Sequence, residues 1–335
     1  MYDAVSFEKQ YHRRRSELEA AAQSLEDYLS FALTEDRVLF HAVTFRLKTM
    51  ESAHRKILNK QYDTPWKQLM DMVAGRIFTY FKDDARPVED VVRKHFEVDE
   101  KNSINKADRL GYNEFGYTSR HLICFVGDKT QDLKVRTALR EMKFEVQIRT
   151  VLEHGWAEVE HELVYKARTR TPDDIRRRFA ASAASLELIE SEFSRLRDFE
   201  LKIVADRTVR IETSGNETLD RAWMLATLNY RFPNRSTWRP NPHEDNFYRG
   251  HEIEILAFLG GNKIDTVGKW DRLLTLPSVK NGIGKYAKLK EMPADEVNHL
   301  AIALIACASA KAAHASFDLD ELMDEELRIA TGRDT

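Results

Sequence analysis

The chain has 335 residues, 42% of them hydrophobic and 32% charged. That is enough apolar material for about two cored domains; it is too charged for a membrane-embedded protein, and no apolar run approaches the roughly 20 residues of a spanning helix. Fifty-two lysines and arginines against 55 aspartates and glutamates leave a formal charge of −3, which excludes a polycation and confines any nucleic-acid contact to local patches. Two cysteines, Cys124 and Cys307, exclude a disulfide framework and a CxxC metal site. The opening MYDAVSFEKQYHRRR has no apolar stretch of the secretory kind, so a cytoplasmic protein is expected.

Leu18, Ala21, Leu25, Leu29 and Ala32 recur at helical spacing and predict one amphipathic helix over 5–34. His41 to Leu47 is β-branched and aromatic and reads as a strand; Thr49 or Ser52 then opens a helix. Val73 to Phe81 is a second strand, and Pro87 opens a helix that runs through Val92. The polar stretch from Asp99 to Phe115 reads as a loop. His121 to Val126 and Phe144 to Ile148 are further strands, and an amphipathic helix runs from Thr150 through VLEHGWAEVEHELVYK. Thr171-Pro172-Asp173-Asp174 opens a long helix over 173–205, and helices are expected at 217–230, 251–260 and 295–314, the last apolar enough to be buried. The pattern implies an N-terminal helical segment (1–39), an α+β domain with a mixed sheet of four or five strands (40–170), and a mainly helical C-terminal domain (171–335).

Four clusters carry candidate chemistry. Arg46 and Lys48 share a strand face, and Ser52 and Lys56 share a helix face; together they place three cations and a hydroxyl at a strand-to-helix junction, where helix N–H groups favour phosphate. The bland alternative is a solvated basic surface. Asp71 lies at the start of an apolar strand, placed to hold a divalent metal or to end a helix in solvent, and Gly75 permits close backbone approach. In Gly116-Tyr117-Thr118-Ser119-Arg120-His121, the residues Tyr117, Ser119 and His121 alternate onto one face, which suits base stacking and phosphate contact or ordinary packing. In Glu145-Val146-Gln147-Ile148-Arg149-Thr150 a polar face opposes an apolar one, which makes sense if Glu145 joins Asp71 at Mg²⁺. Trp156 is read as core, and His161 as either a structural polar residue or a ligand contact.

In this order the motifs resemble the synthetase domain of the RelA/SpoT family of alarmone synthetases: Arg46-x-Lys48, Ser52, Lys56; Asp71, Gly75, Ile77; Gly116-Tyr117-x-Ser119-x-His121; Glu145-x-Gln147-Ile148-Arg149-Thr150; Trp156-Ala157, Glu160-His161, Tyr165-Lys166. The resemblance covers about 40–166 and implies a nucleotidyltransferase-like fold. The implied reaction is transfer of pyrophosphate from ATP to the 3′-hydroxyl of GTP or GDP, with release of AMP. It also implies site roles. Arg46, Lys48, Ser52, Lys56 and Arg76 would bind ATP. Asp71 and Glu145 would bind Mg²⁺, with Glu145 helping to activate the hydroxyl. Tyr117, Ser119, His121, Gln147, Arg149, Ala157 and His161 would form the acceptor side.

The match departs from the family pattern before Gly116-Tyr117. Many members read guanine there with a Lys and an Asn, whereas this chain has Asn113 and Phe115. No adjacent His-Asp pair of the family's hydrolase domain precedes the synthetase motifs. A second reading is therefore a toxic relative that pyrophosphorylates the 3′ CCA end of tRNA, held by Arg13, Arg14, Arg15 and by Lys166, Arg168, Arg170, Arg176, Arg177, Arg178. A third is a nucleotide sensor with a degenerate site, against which the retained Asp71, Glu145 and lysines argue. The C-terminal domain, with Trp223, Trp238 and Trp270 around the polar stretch PNRSTWRPNPHEDNFYRGHE, is expected to serve oligomerisation or a regulatory protein partner.

Overall fold

A computed structural model describes residues 3–36, 38–105, 119–127, 129–130, 133–140, 142–165, 172–233, 251–295, 297–310, 328, 330 and 331. The chain divides into two compact units, Met1–Ser194 and Arg195–Thr335. The expected boundary at 170/171 lies near the head of the helix that runs through the observed one.

The first unit begins with helix α1 (Ala4–Glu35), whose first turn is capped by the Asp3 carboxylate. Strand β1 (Ala42–Leu47) leads into α2 (Met50–Lys60), and the choice between Thr49 and Ser52 as the opening residue falls to Thr49, whose hydroxyl accepts from the Ser52 N–H. The short α3 (Pro65–Gln68) precedes β2 (Val73–Thr79), and α4 spans Ala85–His95, starting two residues earlier than the sequence pattern implied. Two-residue strands β3 (Glu97–Val98) and β4 (Ile104–Asn105) both pair with β5 (Arg120–Phe125). Part of the stretch expected to be loop is therefore sheet, because it adds an outer antiparallel pairing that its weak alternation did not reveal. Helix α5 (Leu133–Leu139) then precedes β6 (Lys143–Thr150).

The sheet order is β1-β2-β6-β5-β3, with β4 also on β5. Among the described residues only β2 and β6 are parallel; the other pairs are antiparallel, so the sheet is mixed and the fold α+β. Strand alternation sorts the two faces. Val43, Val73, Ile77, Leu122, Cys124, Phe144, Val146 and Ile148 are buried in one core with residues of α1, α4 and α5. The opposite face carries Thr44, Arg46, Arg76, His121, Glu145, Gln147 and Arg149. The edge strand β1 is also tied to α1, because the Phe45 N–H donates to the Glu26 carboxylate at 2.8 Å.

Thr150 closes β6 and opens α6 (Val151–Glu160) through a capping box with Glu153. The segment continues as a π-helical turn, His161–Tyr165. No residue of α6 is fully buried. Trp156, expected in the core, is instead half-buried against the next helix, donating its Nε1–H to Ser182 Oγ at 2.9 Å and meeting Phe179 edge-on. That helix, α7 (Asp173–Val209), exceeds the expected range by four residues at its C-terminal end.

In the second unit, α8 (Arg221–Arg231) starts four residues later than expected, because the Asp220 carboxylate caps it by accepting from the Trp223 N–H. Helix α9 (His251–Gly261) falls where the pattern put it; α12 (His299–Ser309) starts four residues later than the expected 295, where the Asn298 side chain caps it, and every α12 residue from Leu300 to Cys307 is buried. Helices α10 (Val267–Leu274) and α11 (Pro277–Leu289) escaped the sequence reading. Trp223 and Trp270 are buried packing residues; Trp238 and most of its polar stretch lie outside the described residues. Among the described residues no helix is long and apolar enough to cross a membrane.

Candidate active site

The polar face of the sheet holds an open cleft of about 160 Å³ lined by Thr44, Phe45, Arg46, Lys48, Asp71, Ala74, Gly75, Arg76, Glu145 and Gln147. Sheet register assembles it. Arg46 lies opposite Ala74, Thr44 opposite Arg76, Ala74 beside Glu145, and Arg76 beside Gln147. Arg46, Lys48, Asp71, Arg76, Glu145 and Gln147, all assigned from the sequence to nucleotide or metal, thus come together although they arrive from three strands and two loops.

Asp71 is the electrostatic centre. Its Oδ2 accepts from Lys48 Nζ at 2.9 Å and from Lys56 Nζ at 2.8 Å. Burial pushes its carboxyl upward, but the two ammonium groups, Lys56 first, hold it below the ordinary carboxylate range. Its Oδ1 is buried and has no hydrogen-bond partner. Lys48 itself is fixed through its backbone: its N–H donates to the Met72 carbonyl at 2.7 Å, and its carbonyl accepts from the Tyr11 hydroxyl at 2.9 Å. Tyr11 is a supporting residue that the sequence reading missed; on an amphipathic helix it reads only as one more buried aromatic. Thr44 was also missed, although its place two residues before Arg46 on one strand face would have found it.

Glu145 is the second carboxylate. Burial, the largest effect, raises its pKa, and so does the nearby Asp71 charge, but His121, by hydrogen bond and charge, together with a hydrogen bond from Gln147 more than offsets them and leaves it below the ordinary value. His121 Nδ1 lies 2.6 Å from Glu145 Oε1, and His121 Nε2 lies 2.7 Å from Ser119 Oγ. Gln147 Oε1 accepts from the buried Arg149 guanidinium. Arg76, at the far end of the cleft, pairs with Glu158 of α6 at 3.0 Å.

Other assigned residues sit elsewhere. Ser52 lies on α2 and is not among the lining residues; nor are Ser119, His121 and Arg149, or Ala157 and His161, which lie on α6 and its π turn. Tyr117 lies outside the described residues, as do Asn113 and Phe115. Gly75 does permit a close approach, but by a side chain of the same sheet: a Cβ there would meet the Phe45 ring at 2.3–2.5 Å. The glycine lets Phe45, its cross-strand partner, pack flat against β2.

Two half-buried carboxylates suit Mg²⁺, which keeps several waters and is commonly held by one or two carboxylates plus substrate phosphates. The unpartnered Asp71 Oδ1 is the kind of oxygen such an ion would satisfy. Among the described residues no cluster of three or more His, Cys, Asp or Glu forms a self-sufficient metal cage, so the substrate would complete the coordination.

The family described as "Region found in RelA / SpoT proteins" matches residues 45–170, a span that holds every residue lining the cleft except Thr44. Residues 45–170 are a RelA/SpoT region. The chain is 28% identical over 167 residues to GTP pyrophosphokinase YjbM of Bacillus subtilis, covering 49% of this chain and 74% of that protein. It is 26% identical over 135 residues to GTP pyrophosphokinase YwaC of the same organism, covering 39% of this chain and 60% of that one. It also aligns with the crystal structure of small alarmone synthetase 1 from Bacillus subtilis bound to its product pppGpp, with a TM-score of 0.48, 25% identity, and coverage of 57% of this chain and 97% of that one. The matched RelA/SpoT region stops at residue 170, short of the second unit.

Proposed function

We propose that this chain is an ATP-dependent pyrophosphokinase that moves the β,γ-pyrophosphoryl group of ATP to the 3′-hydroxyl of GTP or GDP and releases AMP. The observation that carries this reading is the Asp71 carboxylate gripped by Lys48 and Lys56 in one cleft with Glu145. It stands in a RelA/SpoT region whose curated relatives are named GTP pyrophosphokinases. In the reaction the acceptor 3′-oxygen attacks the β-phosphorus, the bond from that phosphorus to the α–β bridging oxygen breaks, and AMP leaves with the bridging electrons. Such transfer needs positioning and charge neutralisation more than covalent help.

Lys48, Arg46 and Arg76 supply positive charge along the cleft wall for the triphosphate, and Lys56 adds its charge beside Asp71. Asp71 and Glu145 would hold Mg²⁺, which when bound neutralises phosphate charge and aligns the reacting groups. Glu145, whose depressed pKa keeps it ionised near neutrality, is the carboxylate available to take the acceptor's proton.

The test is a transfer assay with γ-³²P-ATP and Mg²⁺, offering GTP, GDP or bulk tRNA in parallel. Label on guanine nucleotide, with one AMP formed per transfer, is expected. Label on tRNA alone would make the chain a translation-blocking relative instead. That outcome has less support from the N-terminal arginines, since Arg14 is engaged with the Ala138 carbonyl and Arg15 with Glu19. Absence of AMP with every acceptor would overturn the reading.

A further inference from the structure

We propose that the exposed face of α11 is a docking surface for base-paired RNA, held through its phosphate backbone; this does not rest on the assigned reaction. The chain as a whole carries −3, yet residues 272–290 hold Arg272, Lys280, Lys285, Lys288 and Lys290 and no acidic residue. Helix periodicity sorts the two sides of α11. Val279, Gly282, Ile283, Tyr286 and Ala287 are buried. On the other side Lys280, Gly284 and Lys288 follow one another at intervals of four, with Asn281 and Lys285 in the adjoining row, and all five are exposed. From Lys280 to Lys288 the helix rises about 12 Å. Among the described residues none of these three lysines is paired with a carboxylate. The acidic residues of the preceding segment are taken by others, Asp271 by Arg231 and Asp265 by Lys269. Three like charges within that length repel one another, and an external polyanion would relieve the repulsion.

Two glycines stand in α11, and only one has a reason inside the protein. A Cβ on Gly282 would meet Ile305 Cγ2 at 2.5 Å, so that glycine lets α11 close on α12. Around Gly284 nothing lies within 4 Å. Glycine at an exposed helix position weakens the helix relative to alanine. Midway between Lys280 and Lys288, it leaves the backbone bare where a broad partner would come closest.

The chemistry of the face selects the partner. A protein interface has an apolar or aromatic centre, whereas the large apolar residues exposed here, Leu276 and Leu289, lie at the two ends of the helix. Single strands are held by aromatic rings that stack on bases, and the aromatic residue of α11, Tyr286, is buried. A-form RNA presents phosphates beside a wide, shallow minor groove lined by 2′-hydroxyls. Lysines suit the phosphates as point charges, the Asn281 amide suits a 2′-hydroxyl, and the bare Gly284 suits a shallow groove. B-DNA has no 2′-hydroxyl, and its wide groove is deep.

The test is fluorescence anisotropy of the full chain with a labelled RNA duplex of about 16 base pairs, its 3′ ends phosphorylated so that no 3′-hydroxyl is offered to the transfer site. Binding at about 50 mM salt is expected, weakening steeply as salt rises. The triple variant Lys280→Gln, Lys285→Gln, Lys288→Gln should lose at least about tenfold in affinity, and its slope of log affinity against log salt should be shallower by about 2 to 3, near one per lysine removed. Gly284→Leu leaves every charge in place and raises helix propensity. It should melt no lower than the wild type and keep its salt slope, yet bind the duplex more weakly. The same duplex made of DNA should bind more weakly than RNA, and polyglutamate should not displace the RNA. No binding by the wild type, equal binding by the triple variant, or equal binding of DNA would overturn the proposal. Displacement by polyglutamate would overturn it in favour of an acidic protein partner. Should the triple variant fail to fold, Gly284→Leu decides, and wild-type affinity in that variant would count against the docking surface.

Discussion

Asp71 with Lys48 and Lys56 is the part of the site most exposed to test by substitution, because one carboxylate oxygen carries two ammonium partners. Asp71→Asn is expected to lower transfer by about a thousandfold while ATP still binds. In the absence of divalent ions its ATP affinity should equal or exceed that of the wild type, since both lysines lose their anionic partner. Calorimetric titration with ATP in EDTA checks this; markedly weaker ATP binding would show that Asp71 orders the lysines rather than competing with phosphate for them. The lysines and Asp71 were legible because their spacing and charge are local features. The role of Gly75 was legible only by halves: the sequence says that something comes close, and the structure says that it is Phe45. His121 and Ser119 were legible as a pair on one strand face, but the Glu145 carboxylate that His121 meets lies on another strand.

At the level of strands and helices, the alternation of β6 predicted its two faces correctly, and the apolar residues Val146 and Ile148 are buried while Glu145 and Gln147 face the cleft. Helix α6 shows the opposite case. Its helical periodicity is real, yet no residue is fully buried, since amphipathicity states which side is apolar and not how deeply that side is covered. The placement of β5, which carries His121 into the site, depends on α4. Glu89 of α4 is buried and accepts from Arg120 of β5 at 2.5 Å and from Arg93 at 2.8 Å. Burial raises the Glu89 pKa, but the two guanidinium groups more than offset it and leave the value below that of a free glutamate. Stability from this group is therefore fully present above the unfolded value of about 4.3 and is lost as pH falls through the depressed folded value. Glu89→Gln is expected to destabilise the chain by about 2 kcal/mol at pH 7, with the difference from wild type shrinking as urea melts are repeated toward pH 3. A difference that stayed constant with pH would assign the effect to shape rather than charge.

The whole chain holds separate hydrophobic cores, one built around the sheet and others among the helices of the second unit. Leu304 on α12 is fully buried in the largest of the latter. Leu304→Ala is expected to cost about 2–5 kcal/mol and, in scanning calorimetry, to shift one unfolding transition while that of the sheet unit stays in place; a uniform shift of all heat absorption would show a single cooperative system. In this unit the sequence signalled α12 strongly and α10 and α11 hardly at all, because the latter are short, mix lysines with apolar residues, and find their buried faces only when Trp270 and Ile283 meet α12 and its neighbours. Composition, periodicity and motif order alone determined the α+β class, most elements of the first unit, and the candidate chemistry of Arg46, Lys48, Lys56, Asp71 and Glu145. These are local properties, written in spacings of two, three or four residues. The tertiary structure alone decided the pairings: which lysines hold Asp71, that Tyr11 braces Lys48, and that His121 reaches Glu145 across 24 residues of chain. Such partners are chosen by sheet register, and register is settled only when the apolar face of every strand is buried at once.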